Sequence, residues 1–276
     1  MKRTKLRKRN LLILIFLSLG AVVMLYPFFY MILSAFKFNY EIAQTPPTFL
    51  PKSFTLSNYN KVISENRFGQ FFFNSVWTTL LKTFIILYSS TLFGYVFAKI
   101  RFKGRETIFI LVLATMMIPW PVTLAPMYQL MSWLGWVGSY TAIIVPTMFS
   151  TFGIYMMRQF MGSLPDELIE AARIDGAGEF SVFHTIILPN VTAALSALGI
   201  FQFLWVWDDY LWPFLMLQNM DKYTLPVGLS LYNGQYFSDY GGIFASASIA
   251  VLPVILVYLL FQRQFIEGIA LTGIKG

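Results

Sequence analysis

Cysteine is absent from the chain, and histidine occurs only once. A protein without thiols has no disulfides, no cysteine nucleophile, no iron–sulfur ligation and no cysteine-based zinc site. The sequence also lacks an HExxH motif, a Gly-Lys dipeptide and a G-x-S-x-G motif. These absences exclude the zinc-protease, Walker-loop and serine-hydrolase signatures. We therefore predict no catalytic residue, no metal site and no cofactor.

Charge is scarce as well, because only 12% of the residues are charged, about half the share of an ordinary soluble domain. In contrast, 57% of the 276 residues are hydrophobic, and the mean hydropathy is +0.63. One aqueous core of this size does not hold so much apolar surface, so the excess must face a bilayer. This composition excludes a soluble enzyme, a disordered regulator and a fibrous repeat.

The apolar residues form six stretches, each long enough to cross a bilayer as a helix. They cover residues 11–36, 71–98, 107–130, 140–157, 186–217 and 242–261. The third stretch contains Pro119, Pro121 and Pro126, which bend or break a helix but are tolerated inside a membrane bundle. We predict an all-α polytopic membrane protein with six transmembrane helices and a single transmembrane domain over residues 1–276.

The basic residues predict the orientation of these helices. In the six-span layout, 14 of the 20 Lys and Arg residues lie on the side of the termini, five lie on the opposite side, and Lys82 lies within a span. Cytoplasmic segments carry the excess of positive charge, so both termini are predicted to be cytoplasmic. The layout gives a basic cytoplasmic tail (1–10), a cytoplasmic loop (158–187), an external loop (218–241) and a second cytoplasmic tail (262–276).

The cytoplasmic loop carries the signature of a helix–turn–helix. Ser163 suits a helix N-cap, Pro165 suits the first turn, and Asp166 and Glu167 are favoured at the positive end of the helix dipole. Gly176 suits the end of the helix, since glycine adopts a left-handed conformation without steric cost. On these features alone, the segment is either a docking surface or an ordinary solvated connector.

Three groups of residues carry a resemblance to a known family. They are Glu170-Ala171-Ala172 with Ile174-Asp175-Gly176-Ala177; Trp207-Asp208-Asp209-Tyr210-Leu211-Trp212-Pro213; and Gln262-Arg263-Gln264-Phe265 with Gly273-Ile274-Lys275-Gly276. The first group resembles the coupling loop of ATP-binding-cassette importer permeases. The other two are similar to carbohydrate permeases of the maltose-transporter second-subunit type. The last outer loop is also similar, at Thr224-Leu225-Pro226 and Asn233-Gly234-Gln235.

The resemblance implies an ABC type I importer permease fold and a binding-protein-dependent carbohydrate importer. Its partners would be a second homologous permease, two ATPase subunits that hydrolyse the ATP, and an extracellular sugar-binding protein. The resemblance places ATPase docking on the 163–189 loop, at Glu170, Ala171, Ala172, Asp175, Gly176 and Ala177. Glu170 is then expected to pair with a cation of the ATPase. The alternative is an intrahelical pair with Arg173, worth a few tenths of a kcal/mol.

Polar residues within the spans are candidates for the substrate pathway, because charges in a membrane are costly unless they serve a function. Lys82 follows Asn74 and Thr78 at intervals of four, so these residues form a stripe on one helical face. We predict that this stripe faces the bundle, toward the partner permease or a water-filled cavity, with snorkelling along the helix as the alternative.

Trp207, Asp208 and Asp209 are the other pathway candidates. Adjacent helical residues point about 100° apart, so one acid is expected to serve the structure and the other to approach the pathway. Trp207 is the neighbouring ring that could stack on a sugar. The alternative places this segment at the outer interface, with Tyr210 and Trp212 in an aromatic belt. For the whole chain, the alternatives are a stand-alone secondary transporter or channel and an importer permease for a non-sugar solute.

Overall fold

The computed structural model describes residues 2–65, 67–231 and 239–273, and the regular secondary structure of these residues consists of helices only, joined by turns and loops. The α-helices are α1 (Lys2–Ser34), α2 (Asn39–Ile42), α3 (Ser57–Glu65), α4 (Phe68–Lys99), α5 (Arg105–Ala114), α6 (Trp120–Trp133), α7 (Thr141–Ile144), α8 (Thr151–Gly162), α9 (Glu167–Ile174), α10 (Glu179–Val182), α11 (Leu188–Asn190), α12 (Thr192–Trp207), α13 (Leu211–Met216), α14 (Leu225–Ser230) and α15 (Tyr240–Gly273). Short 3₁₀ turns cover Thr115–Met117, Val145–Thr147 and Met220–Lys222, and a π-helix covers Phe183–Ile187.

Three of the described helices are long and apolar enough to cross a membrane. They contain the segments Ile13–Ser34, Phe68–Lys99 and Tyr240–Gln262. Two further pairs meet the same test together but are bent, Arg105–Met117 with Trp120–Trp133 by 101° and Glu179–Asn190 with Thr192–Trp207 by 80°. The described residues thus hold three candidate spans, or up to five if each bent pair is one span. The all-helical membrane fold is confirmed, whereas six spans and cytoplasmic termini stay predictions.

Prolines lie at the break between Met117 and Trp120 and within the predicted fourth span. Pro119 is extended at the N-cap of α6, with φ −60° and ψ 131°, and Pro121 occupies the first turn of that helix. The predicted fourth span, residues 140–157, contains α7, a 3₁₀ turn with Pro146 and the start of α8. A proline lacks the amide that would continue the helix, so this stretch is not one continuous helix.

Residues 1–69 with 229–252 form one compact unit. Asp239 lies at the centre of a polar group in this unit. Its carboxylate accepts hydrogen bonds from Asn39 Nδ2 at 3.0 Å, Lys61 Nζ at 2.8 Å and the Gly242 amide at 3.0 Å. Within α1, the apolar side chains of Phe16, Val23 and Met24 are exposed. Such a surface is suited to lipid or to another apolar helix rather than to water.

Residues 70–228 with 253–276 form the second unit. Its main apolar cluster joins α4, α8, α9, the π-helix and α12 through Tyr95, Met157, Ile169, Phe183 and Leu198. Glycines let α4 and α8 approach closely: a Cβ on Gly153 would lie 2.3 Å from Ser90 Oγ, and one on Gly94 would lie 2.6 Å from Met157 Cβ. Small residues at helix crossings are typical of membrane bundles, where close van der Waals contact supports association.

Candidate functional site

The loop between α8 and α12 is a helix–turn–helix, as predicted. α9 ends at Ile174, and Gly176 adopts a left-handed φ of 84°. Its amide bonds to Arg173 O at 3.0 Å, and the Ala177 amide bonds to Ala172 O at 2.9 Å. These bonds satisfy carbonyls at the end of α9, and the chain then turns into α10.

The predicted N-cap at Ser163 is wrong, although Asp166 and Glu167 do lie at the start of α9. Ser163 follows the last residue of α8, and its hydroxyl donates to Phe160 O at 2.7 Å instead of capping α9. Asp166 occupies the N-cap position of α9 without making a side-chain cap. Its carboxylate accepts a hydrogen bond from Lys99 Nζ at 2.5 Å, so a tertiary contact replaces the local one.

The charge of Lys99 also affects the acidity of Asp166. This hydrogen bond and the positive charge behind it hold the pKa of Asp166 below its ordinary value of 3.8. The carboxylate is thus fully ionised at neutral pH and remains an ion-pair partner.

The predicted docking residues divide into an exposed and a partly covered set. Glu170, Ala171, Asp175 and Gly176 are exposed, whereas Ala172 and Ala177 are half-buried and pack against the main cluster. On the inner side of α9, Ile169 is buried in that cluster. On the exposed surface, Ile174 is 86% exposed and Phe180 is 68% exposed, which leaves large apolar side chains beside the carboxylates.

The alternative pairing of Glu170 does not form. Arg173 Nη2 contacts Glu179 Oε1 at 2.8 Å, so the arginine is directed toward α10 rather than back to Glu170. Within the described part of the chain, the exposed Glu170 carboxylate has no ion-pair partner. It is therefore free to meet a cation from outside the chain.

A second polar group lies within α4. Asn74, Thr78 and Lys82 are all buried, which confirms that their stripe faces the bundle rather than snorkelling. Asn74 Nδ2 donates to Asp221 O at 2.9 Å and to Tyr223 O at 3.0 Å. Lys82, with a side chain only 4% exposed, places Nζ 3.5 Å from Asp209 Oδ2.

The two adjacent acids point to different surroundings. α12 ends at Trp207, and Asp208 forms its C-cap. Asp209 faces Lys82, while the Asp208 side chain is exposed and makes no ion pair within the described residues. The angular separation along a helix and the break after α12 together account for this divergence.

The aromatic expectations need correction. Trp207 is buried, with its ring edge-to-face with Phe72 at 5.9 Å and stacked on Phe203 at 5.9 Å. It offers no free ring face to a sugar in this structure. Trp212 is also fully buried, and its Nε1 donates to Ala142 O at 3.0 Å, so it is not part of an interfacial belt.

Sequence reasoning missed two residues beside the helix–turn–helix, Tyr95 and Lys99. Tyr95 donates to Glu179, and Lys99 donates to both Asp166 and Leu164. In the sequence, Lys99 contributes only to the charge bias and Tyr95 has no distinguishing pattern. Their partners lie more than sixty residues away, which only the tertiary structure shows.

Long apolar helices, two bent pairs of helices and an exposed helix–turn–helix on a connecting loop are the features of a helical membrane protein. The comparisons with known proteins agree. Residues 90–270 match the family described as "Binding-protein-dependent transport system inner membrane component". The fold is similar to a solved "bacterial ABC transporter involved in the import of the acidic polysaccharide alginate", with a TM-score of 0.83 and 23% identity over 94% of this chain and 97% of that chain.

Curated relatives cover nearly the whole chain. The arabinooligosaccharides transport system permease protein of Halalkalibacterium halodurans is 35% identical, over 93% of both chains. The lactose transport system permease protein of Rhizobium radiobacter is 32% identical, over 91% of this chain and 92% of its own. The chain therefore belongs to the family of inner-membrane components of binding-protein-dependent transport systems. This confirms the resemblance to importer permeases, which are transport subunits and not enzymes.

Proposed function

We propose that the chain is a permease subunit that forms half of the translocation pathway of an ATP-driven carbohydrate importer. Its partners are a second homologous permease, two ATPase subunits and an extracellular sugar-binding protein. The names of the relatives, which specify arabinooligosaccharides and lactose, support a sugar as the solute. The observation that carries the proposal is the exposed face of α9, where an unpaired carboxylate lies beside large apolar side chains.

The proposed docking surface is the outer face of the 163–189 loop. Ile174 and Phe180 supply apolar area that a partner would cover, and Glu170 supplies one charge for a cation of the ATPase. Asp175 and Gly176 form the exposed turn next to these side chains. Ala172 and Ala177 lie behind them and seat the loop on the main cluster, so their role is to hold the surface in place.

The proposed topology has six spans in a bacterial-type inner membrane, with both termini and the 158–187 loop in the cytoplasm and the 218–241 loop outside. The charge bias of 14 to five supports this orientation. Residues 232–238 of the external loop and the last residues of the 262–276 tail lie outside the described residues, as do the side chains of the basic residues in the 1–10 tail.

Among the four pathway candidates, Asp208 is the one we assign to the translocation path. Its carboxylate is exposed, and sugar hydroxyls are suitable donors to it. Lys82 and Asp209 neutralise each other in a buried pair, and Trp207 packs among aromatic rings. These three residues then position Asp208 at the break after α12.

Docking is tested by comparing Glu170→Ala with Glu167→Ala, an exposed acid on the same helix. Each variant is co-expressed with the second permease and a tagged ATPase subunit. We measure membrane insertion, co-purification, and uptake of labelled arabinooligosaccharide and lactose. Glu170→Ala should insert normally but lose co-purification or uptake, while Glu167→Ala should retain both.

Two outcomes would contradict the proposal. Normal assembly and uptake with Glu170→Ala would remove the docking role of this carboxylate. Uptake that persists in the absence of the ATPase subunits would instead identify a stand-alone transporter.

A further inference from the structure

Two polar links fasten the helix–turn–helix to the end of α4. In the first, Lys99 Nζ donates to Leu164 O at 2.6 Å and to Asp166 Oδ1 at 2.5 Å. The Lys99 side chain is only 7% exposed, so its ammonium is largely shielded from water. Charge-assisted bonds in such a setting are short and strong, and they hold the segment before α9 against the last turn of α4.

The second link lies one turn earlier on α4. The buried Tyr95 hydroxyl donates to Glu179 Oε2 at 2.6 Å, and the other oxygen of Glu179 accepts from Arg173 Nε at 2.8 Å. Glu179 begins α10 and Arg173 lies in the last turn of α9. Tyr95 therefore holds both short helices through one carboxylate.

The two links lie on one face of α4, because residues four apart on a helix are neighbours. A cavity of about 410 Å³ lies beside them, and its lining includes Lys99, Asp166, Ile169, Arg173 and Glu179. Apolar packing between α9 and the end of α4 is thus incomplete at this point. The two polar links therefore connect α9 and α10 to the end of α4 where apolar packing does not.

α4 is continuous from Phe68 to Lys99, and it also carries the buried Lys82. Lys82 precedes Tyr95 by thirteen residues, which corresponds to about 20 Å along an α-helix. We propose that Tyr95 and Lys99 are positioning residues that transmit movement of the docked 163–189 loop to α4, and through α4 to the Lys82–Asp209 pair. This inference rests on the proposed function and adds the residues that connect its two sites.

The first test removes a single hydroxyl. Tyr95→Phe keeps the ring, which packs 5.8 Å from that of Phe183, and loses only the bond to Glu179. The matched control is Tyr88→Phe, also on α4, whose hydroxyl lies 3.4 Å from His184 Nε2 and is exposed. The readout is the amount of labelled sugar transported per ATP hydrolysed, measured with the complete importer in proteoliposomes.

Tyr95→Phe should lower this ratio about tenfold, in line with the loss of a hydrogen bond to a charged group. ATP hydrolysis should continue and Tyr88→Phe should behave like the unmodified protein. If Tyr95 had a purely structural role, the variant would reduce the yield of assembled complex. The complexes that do assemble would transport the same amount of sugar per ATP as the parent protein. An unchanged ratio for Tyr95→Phe would overturn the inference.

A second measurement does not depend on transport. The chain has no cysteine, so Glu167→Cys on α9 and Phe84→Cys on α4 provide two sites for spin labels. Both side chains are exposed. In the assembled importer, the distribution of distances between the two labels should be narrow, and its mean should be the same with and without ATP. It should broaden when Tyr95→Phe and Lys99→Gln are introduced together.

A distance that changes by several ångströms with ATP in the parent protein would show that α9 and α4 move separately, and would overturn the inference. The inference and the proposed function fail in different ways. If the parent importer shows no sugar uptake at all, the proposed function fails. If it transports sugar and either the ratio or the distance does not respond to the variants, only the inference fails.

Discussion

Breaking the pair between Lys82 and Asp209 should destabilise the fold more than any change at the neighbouring acid. Asp209→Asn keeps the shape of the side chain and removes its charge. It leaves the Lys82 ammonium, 3.5 Å away and with a side chain only 4% exposed, without a counter-charge. Removing one partner of a buried ion pair costs about 3–5 kcal/mol. Since the Asp209 side chain is 25% exposed, we expect about 3 kcal/mol.

The assay is the free energy of unfolding of the purified chain in mixed detergent–SDS micelles. Asp208→Asn is the matched control, because its carboxylate is exposed and makes no ion pair within the described residues. That variant should stay within about 0.5 kcal/mol of the parent protein, as is usual for exposed positions. A third variant, Lys82→Met, removes the cation and keeps an unbranched side chain.

The double variant Lys82→Met/Asp209→Asn decides whether the pair acts as a unit. Replacing both charged members of a buried pair is often close to neutral, so the double variant should be more stable than Asp209→Asn alone. The two single effects should therefore fail to add by more than about 1 kcal/mol. Additive effects, or an Asp209→Asn variant as stable as Asp208→Asn, would refute the pair.

Two other predictions concern the helix–turn–helix. Gly176→Ala places a side chain at φ 84° and should lower the stability of the loop by about 1–2 kcal/mol. Gly178→Ala, at φ −73°, should have little effect. Equal protease sensitivity of the two variants would contradict this prediction. The pKa of Asp166 is lowered by its hydrogen bond from Lys99, so its contribution to stability is complete above pH 3.8 and is lost as the pH falls through the lower folded pKa. The difference in melting temperature between the parent protein and Asp166→Asn should shrink from pH 6 to pH 3. A difference that grows as the pH falls would contradict this prediction.

The helical membrane class could be predicted from composition. A water-soluble fold of this size does not bury 57% hydrophobic residues with only 12% charged residues to cover its surface. The turn at Gly176 could also be predicted, since it depends on a local steric rule that only glycine meets without strain. The Asn74–Thr78–Lys82 stripe could be predicted because residues four apart lie on the same face of a helix. Its burial could be predicted because exposing a charge to lipid is costly.

Local rules failed where a distant partner competed. Ser163 suits an N-cap, but Asp166 takes the N-cap position of α9, where its carboxylate binds Lys99 instead of capping the helix. Trp212 fits an interfacial belt by composition, and its burial depends on the carbonyl of Ala142, seventy residues earlier. Neither partner is near enough in the chain for a pattern to show it.

The sequence by itself determined that the chain is a helical membrane protein, that it contains the helix–turn–helix and which family it resembles, because hydropathy, helical period and local motifs act over a few neighbouring residues. Only the tertiary structure decided which charges meet. Lys82 faces Asp209 rather than Asp208, and Tyr95 and Lys99 hold the 163–189 loop rather than lying free at the end of α4. The physical reason is that a buried charge takes the partner that folding brings within hydrogen-bonding distance, and that choice depends on how the helices pack.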